Sequence, residues 1–260
     1  LKIYYNYLNK GSKKPTLVFI HGWMVNWTCF KDEINHFKKL GFPIIYMDLR
    51  GHGKSSKPTN KKYYSINLMA KDIKRILSHH NIRKPILIGH SMGGMVALYY
   101  NVKYKVKKSI VINSVYRNPL IFSRSKYLRK KRRVLKKIIS SLLMFVQGKK
   151  IKDKKFLDYS KFKKDSDKKI FIKSLLNTPL VISLSTLYAM YNYDVKDKIP
   201  FITNDILIIT SRRDQFFTKH LSRDFSRVLP NAKIITKNAT HGILKNSAKI
   251  LKEIEEFVTS

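Results

Sequence analysis

The sequence predicts an α/β fold built on a mostly parallel sheet, and three observations carry this prediction. Short continuous apolar runs recur along the chain, helical patterns with one apolar face separate most of them, and polar residues follow directly after several runs. A continuous apolar run is typical of a strand that is buried on both faces of a sheet. Strands that alternate with helices pair in parallel, because each helix returns the chain to the same end of the sheet.

Six apolar runs are predicted to form the parallel strands. They cover residues 16–20, 43–47, 86–88, 109–112, 206–210 and 232–236. The N-terminal residues 1–7 alternate in polarity, which is typical of a strand with one solvated face. Turn-forming residues 9–12 follow that strand, so we expect a hairpin with the next strand that adds an antiparallel edge to the sheet.

Two amphipathic patterns predict helices that pack on the sheet. Their apolar faces consist of Ile66, Met69, Ile73, Ile76 and Leu77 in one helix and of Ile250, Ile254, Phe257 and Val258 in the other. Because a sheet that is buried on both faces needs a helical layer on each side, we expect helices on both faces.

The segment 116–199 breaks the alternation of strand and helix. It contains no buried-strand run, only basic amphipathic stretches such as the one formed by Val134, Leu135, Ile138, Ile139, Leu142 and Val146. It holds 23 Lys and Arg residues and 6 Asp and Glu residues, a net charge of +17, against +21 for the other 176 residues. We therefore predict a helical cap at 116–199, inserted into a core domain formed by 1–115 and 200–260.

Composition limits the class of protein. The 260 residues, 43% of them hydrophobic, suffice for one sizeable core. The single cysteine, Cys29, excludes an internal disulfide and fits a reducing compartment. Residues 1–7 lack the pattern of a signal peptide, and no uncharged stretch approaches the roughly 18 residues that span a bilayer. We expect a globular protein of the cytoplasm.

The net charge of +38 raises nucleic acid or an anionic membrane as partners. The excess is spread along the chain, as a compositional bias of the genome would also produce. The most basic run, 126–133, precedes an apolar helix face and could dock on anionic lipid or RNA. No nucleic-acid-binding motif accompanies it, so we expect no specific nucleic acid and leave open a weak contact of the cap with an anionic membrane surface.

Ser91 is the candidate nucleophile. It lies in a Gly-x-Ser-x-Gly motif between an apolar run and a helical pattern, the setting of a nucleophile elbow. A strand that turns at once into a helix strains the serine backbone, and Gly89 and Gly93 leave room for the turn. The turn lifts the hydroxyl off the sheet and directs the amides of the helix N-terminus at a developing anion.

His241 and Asp214 are the candidate base and acid. His241 is the one histidine of eight in a loop after the last strand, and Asp214 follows the strand before it. Ligands of a parallel sheet bind at the carboxyl ends of its strands, so Ser91, Asp214 and His241 are expected at one edge. Asp205 precedes its strand and lies at the opposite edge, and a contact with Arg50 is the preferred interpretation of Asp48.

Two backbone amides are the candidates for an oxyanion hole. Met92 follows the nucleophile at the helix start, and Trp23 follows His21 and Gly22 after a strand. No metal ligands and no cofactor motif are expected.

Five groups of residues together resemble the α/β-hydrolase superfamily, in its branch of capped serine esterases and lipases. They are 19–23 (FIHGW), 48–55 (DLRGHGKS), 89–94 (GHSMGG), Asp214 and His241. The resemblance implies an eight-stranded mostly parallel sheet, a cap after the sixth strand and an acyl-enzyme mechanism without a metal. The chain departs from the family at Thr240-His241-Gly242, where Gly-His is usual, and at 23–26, which lack the glycines of triple-glycine esterases. Haloalkane dehalogenases and epoxide hydrolases carry aspartate where this chain has Ser91.

The predicted function is a carboxylesterase that acts on short or medium acyl esters, with an apolar acyl group in the substrate. Monoacylglycerol lipase, lysophospholipase, thioesterase, carbon–carbon hydrolase and perhydrolase activities remain alternatives, because the fold does not choose among them. A basic membrane-binding or RNA-binding protein is the alternative outside enzymes. The apolar cap residues expected to line an acyl pocket are Phe122, Leu142, Leu143, Met144, Phe145, Leu184, Leu187 and Met190.

Overall fold

The computed structural model describes residues 1–152, 154–218 and 220–260, which form one seven-stranded sheet. The strands are β1 (Tyr5–Leu8), β2 (Leu17–Ile20), β3 (Ile44–Met47), β4 (Ile86–His90), β5 (Lys108–Ile112), β6 (Asp205–Ser211) and β7 (Lys233–Lys237). Their order across the sheet is β1-β3-β2-β4-β5-β6-β7, and every pair is parallel except β1 with β3. All six predicted apolar runs form strands, and the predicted mostly parallel sheet is confirmed.

Two details of the predicted sheet are wrong. The described residues contain seven strands and not eight. A single strand, β1, precedes β2 among these residues. The expected hairpin is also absent from this part of the chain, since β1 pairs with β3, placing Tyr5 opposite Met47. The physical reason is that β2 already has a parallel partner on each side, β3 and β4, and so has no free edge for β1.

The helices lie on both faces of the sheet, as predicted. They are α1 (Lys31–Lys39), α2 (Ile66–His79), α3 (Met92–Lys103), α4 (Lys126–Lys130), α5 (Arg132–Val146), α6 (Asp167–Asn177), α7 (Leu180–Tyr191), α8 (Leu221–Val228) and α9 (Leu251–Thr259). Ser65 caps α2 by accepting a hydrogen bond from the Leu68 amide at 3.0 Å. The apolar face predicted for α2 is buried, as is that of α9 with the preceding Ile250.

The strands send alternate side chains into two apolar cores. Val18, Ile45 and Leu87 belong to the core that includes α2 and α3, whereas Leu17 and Ile86 belong to the core of α1 and α9. Burial on both faces is the reason that these strands are continuously apolar in sequence. The sheet is therefore a rigid platform whose strand ends support the loops that carry the polar residues.

The β5–β6 connection, residues 113–204, carries helices α4 to α7 and no strand among its described residues. Helix α7 is anchored to the core through buried Val181 and Ile182, whereas α5 buries only Ile139 and Leu143. Within the described ranges no single helix is long and apolar enough to cross a membrane. Helices α6 and α7 pass that test only together, and they are bent by 116°.

Candidate active site

Ser91 occupies a strained turn between β4 and α3. Its backbone angles are φ 53° and ψ −119°, in a region that side chains rarely adopt. A methyl group at Gly89 would collide with the Gly93 backbone, and one at Gly93 would collide with the Ile20 carbonyl. The two glycines thus allow α3 to start directly against the sheet. The Ser91 amide donates to the Ile112 carbonyl at 2.9 Å, which ties the turn to β5.

The structure brings together the three side chains that the sequence nominates. His241 Nε2 lies 2.9 Å from Ser91 Oγ, and His241 Nδ1 lies 2.7 Å from Asp214 Oδ2. An ionised carboxylate accepts only, so Nδ1 carries the proton that Asp214 binds, and Nε2 is left as the acceptor facing the serine hydroxyl. The arrangement can take a proton from Ser91 as the oxygen attacks an electrophile.

Asp214 is buried yet ionised. It follows β6, and its Oδ1 accepts hydrogen bonds from the Phe216 amide at 2.8 Å and the Phe217 amide at 3.1 Å. Burial by itself raises the pKa of this carboxyl group, but the charge and hydrogen bond of His241 and the two amides lower it more. The net pKa lies below the ordinary value. Both oxygens are thus held in place and charged.

Two further residues hold His241 from the core side, and sequence reasoning missed both. The His241 carbonyl accepts hydrogen bonds from Asn113 Nδ2 and from His90 Nε2, each at 3.0 Å. Burial, together with the charge of His241, lowers the pKa of His90 to about 3, so His90 is a neutral donor. Asn113 directly follows β5, and a search for polar residues after strands could have found it.

The two proposed oxyanion donors lie beside Ser91. Neither the Trp23 amide nor the Met92 amide has a hydrogen-bond acceptor among the described residues. A methyl group at Gly22 would approach Ser91 Cβ to 3.3 Å, so the turn that carries Trp23 passes directly against the serine. The Trp23 indole donates to Thr186 Oγ1 at 2.9 Å, which fixes this turn to α7.

A cavity of about 440 Å³ opens over Ser91 and His241. Most of its wall is apolar and comes from the β5–β6 connection and from the loops after β2 and β6, with Met95 added from α3. The apolar wall residues include Trp23, Met95, Leu120, Leu128, Ile170, Phe171, Leu187, Met190 and Phe216. Leu187 and Met190 therefore line the cavity as predicted. The other six predicted pocket residues do not: Phe122 and Leu143 are buried in the core, Leu184 packs against it, and Leu142, Met144 and Phe145 are exposed.

The charged groups that line the cavity are compensated in pairs. Lys31 lies 3.1 Å from Asp158, Lys163 is paired with Asp32, and Lys245 is paired with Asp167. A ligand in the cavity therefore meets no isolated charge from these side chains. Among the described residues, no group of three or more His, Cys, Asp or Glu side chains is arranged to hold a metal ion.

The remaining polar residues of the motifs have structural contacts. The fully buried His21 donates from Nδ1 to the Gly22 carbonyl at 2.7 Å and accepts from the Leu49 amide at 2.9 Å. The expected contact of Asp48 with Arg50 is wrong, because Asp48 accepts from the Trp27 and Lys54 amides instead. Arg50 forms a buried ion pair with Asp72 at 2.7 Å.

Similarity to known proteins covers nearly the whole chain. The chain is 25% identical to AB hydrolase superfamily protein YisY of Bacillus subtilis (strain 168) over 258 residues, 96% of this chain and 93% of that protein. It is 33% identical to Epoxide hydrolase 4 of Mus musculus over 122 residues, 46% of this chain and 33% of that protein. The esterase EaEST from Exiguobacterium antarcticum superposes with a TM-score of 0.74 at 21% identity, over 99% of this chain and 96% of that one.

The family model described as alpha/beta hydrolase fold matches residues 15–248. That range begins before β2 and ends after His241, so it contains the parallel strands and all three residues of the hydrogen-bonded chain. The protein belongs to the α/β hydrolase family.

Proposed function

We propose that the protein is a serine hydrolase that cleaves carboxylic esters, with Ser91 as nucleophile, His241 as base and Asp214 as the group that orients it. The observation that carries the proposal is the continuous hydrogen-bonded chain from Ser91 Oγ through His241 to Asp214. The Ser91 end of these hydrogen bonds faces an apolar cavity large enough for a small ester.

The proposed reaction has two halves. Ser91 Oγ attacks the ester carbonyl as His241 takes its proton, and the Trp23 and Met92 amides bind the oxyanion of the tetrahedral intermediate. The intermediate collapses by releasing the alcohol, which receives the proton from His241. Water then loses a proton to His241 and attacks the acyl-enzyme, and the acid leaves as Ser91 regains its proton.

The serine nucleophile favours ester chemistry over epoxide opening. Attack of a serine oxygen on an epoxide carbon would form an ether, which has no carbonyl group for water to attack. The enzyme would remain alkylated, whereas an acyl-enzyme on Ser91 is an ester that His241 and water can cleave. The partial similarity to an epoxide hydrolase therefore supports a shared fold rather than a shared reaction.

The paired charges of the cavity favour a neutral substrate with an apolar acyl group of short or medium length. An anionic substrate would find each lining lysine neutralised by a neighbouring carboxylate, as with Lys163 and Asp32. A monoacylglycerol is the second candidate, because it is also neutral and apolar. Hydrolysis rates over a series of p-nitrophenyl esters of increasing acyl length, compared with monoacylglycerols, decide between the two.

Fluorophosphonate labelling tests the nucleophile. The probe should label the wild-type protein and not Ser91→Ala, and p-nitrophenyl ester hydrolysis should fall by at least about 10³-fold in that variant. Ser174→Ala is the matched control, because Ser174 also lines the cavity but donates to the Ile170 carbonyl within its own helix. Full activity of Ser91→Ala, or equal loss in the control, would contradict the proposal.

We also propose that α5 rests on anionic membrane surfaces. Its outward side carries exposed Val134, Ile138, Leu142 and Phe145, three or four residues apart, which we call the α5 stripe. Four basic residues and no acidic residue accompany the stripe within α5. A basic amphipathic helix of this composition binds to the surface of an anionic bilayer. A second copy of the chain is the less favourable partner, because its positive charges would repel those of α5.

Vesicle sedimentation tests this contact with phosphatidylcholine vesicles that contain or lack phosphatidylglycerol. The wild-type protein should bind the anionic vesicles, and replacing Ile138 and Phe145 by serine should weaken binding about tenfold, since each side chain contributes apolar burial. Leu176→Ser with Phe201→Ser is the control, because both side chains are exposed outside α5. Equal weakening in the control would show that binding does not depend on α5 in particular, and no weakening in the α5 variant would show that charge alone attracts the vesicles.

A further inference from the structure

Asp167, the first residue of α6, contacts the loop that carries His241. Its side chain is 13% exposed and lies on the cavity wall. Oδ2 accepts hydrogen bonds from Gln215 Nε2 at 3.0 Å and from the Gly242 amide at 3.1 Å, and Lys245 is its ion-pair partner. One carboxylate of the β5–β6 connection thus contacts residues just after Asp214 and just after His241.

These contacts converge on the backbone of His241. Gln215, held by Asp167, accepts the His241 amide on Oε1 at 3.3 Å, and Gly242 is the next residue. A methyl group at Gly242 would collide with the Asp167 carboxylate, so the glycine allows the close approach. This contact gives a physical reason for the glycine at position 242.

The loop is held from two sides by different parts of the chain. On the core side, Asn113 and His90 fix the His241 carbonyl. On the other side, Asp167 fixes the Gly242 amide directly and the His241 amide through Gln215. Losing the second set would remove the hydrogen bonds to the His241 and Gly242 amides.

The charge of Asp167 is maintained by the same contacts. Burial raises the pKa of its carboxyl group, but Lys245, Thr240, Gln215 and the Gly242 amide lower it more, so that the net pKa is well below the ordinary value. Asp167 therefore remains an acceptor for these donors over the working pH range. Oδ2 holds the two hydrogen bonds, and Oδ1 faces the Lys245 ammonium group in the ion pair.

We propose that Asp167 is a positioning residue, which holds the His241 loop at hydrogen-bond distance from Ser91 and makes the reaction depend on the docking of α6. The proposal rests on the proposed serine hydrolase function. Asp167 acts through Gln215 and Gly242 and takes no proton from the substrate.

Steady-state kinetics on a p-nitrophenyl ester test this role in the full-length protein. Asp167→Ala should lower kcat by about 10²-fold, because a misplacement of about 1 Å costs that much, while KM changes less than about twofold. Asp167→Asn should lose less, since its amide oxygen still accepts from Gly242. Asp165→Ala is the matched control: Asp165 lies in the same segment but its carboxylate pairs with Lys169 at 2.9 Å and Lys173 at 2.7 Å.

Gly242→Ala provides a second variant that displaces the same contact from the other partner. It should lower kcat as well. The double variant should be no worse than Asp167→Ala alone, because that substitution already removes the contact that Gly242→Ala displaces. A double variant whose loss of kcat equals the product of the two single losses would overturn the proposal. A rise in KM with constant kcat would also overturn it, because that result indicates a role in substrate binding. If Asp167→Ala keeps the wild-type kcat while Ser91→Ala is inactive, only the positioning role of Asp167 is overturned. If Ser91→Ala is active, the proposed serine hydrolase function is overturned as well.

Discussion

The core, meaning the sheet with the loops at the carboxyl ends of its strands, differs from the β5–β6 connection in how its residues contribute to the site. In the core, Ser91, His241 and Asp214 each follow a strand of the sheet, and the last two are also fixed by backbone or buried polar partners. In the connection, α5 and α6 expose many of their apolar side chains, and α6 reaches the site through the carboxylate of Asp167. The core fixes the three proposed catalytic side chains, and the connection shapes the cavity above them.

The proposed chemistry and the substrate preference therefore depend on different regions of the molecule. Chemistry depends on distances of a few tenths of an ångström, and a sheet buried on both faces holds such distances well. Substrate shape depends on the cavity wall, most of which the connection and the strand-end loops supply. Substitutions in the two regions should therefore differ in size and in the property that they change.

The largest effect is expected for Asp214→Asn in the core. Two backbone amides hold Oδ1 as an acceptor, so the new amide nitrogen must face His241 Nδ1. That donor forces the proton onto Nε2, which can then no longer accept from Ser91. We expect kcat to fall by about 10⁴-fold with little change in KM.

Asp205→Asn is the matched control for that measurement. Asp205 begins the same strand, β6, at the opposite edge of the sheet, and its side chain is exposed. It should keep wild-type kcat. Near-wild-type kcat in Asp214→Asn would remove Asp214 from the proposed mechanism.

A matched pair of leucines compares the stability of the two regions. Leu207 in β6 is fully buried, so Leu207→Ala should lower the free energy of unfolding by about 2–5 kcal/mol. Leu176 in α6 is 71% exposed, and Leu176→Ala should change it by less than about 0.5 kcal/mol. Urea unfolding at constant m-value measures both. Equal losses would mean that the connection is as tightly packed as the core.

Glu33 in α1 should make the core sensitive to pH. Burial raises the pKa of its carboxyl group from 4.5 to about 7. Between these values the folded state binds more protons than the unfolded state, so stability falls as pH rises. The loss at pH above 7 should be about 3 kcal/mol from this group. Glu33→Gln should abolish that fall in urea unfolding between pH 4.5 and 8, and an unchanged slope would contradict the assignment.

Most of the sheet could be predicted because its signals are local. Six apolar runs became strands, and the residues after them met at one edge, as the rule for parallel sheets requires. The hairpin prediction for β1 failed because strand pairing depends on which edges are free, and β3 had already taken the edge of β2. Strands that are neighbours in sequence often pair, but the pairing of β1 was decided by which strand edge remained free.

The cavity wall was predicted poorly for a related reason. Apolar residues of an amphipathic helix face inward in most cases, yet Leu142 and Phe145 of α5 face outward, whereas Leu187 and Met190 of α7 line the cavity. The apolar pattern of a helix does not reveal which neighbour covers it. That choice follows from the packing of α5 against α7 and of α7 against the core.

Local sequence patterns were enough to predict the alternation of strand and helix, the glycine-flanked turn at Ser91, and the candidates Asp214 and His241, because each is signalled by its own neighbours in the chain. Three features depend instead on the folded chain: β1 pairs with β3, Asn113 and His90 hold the His241 carbonyl, and Asp167 contacts Gly242. These contacts join residues far apart in the chain, and close packing rather than local pattern selects them.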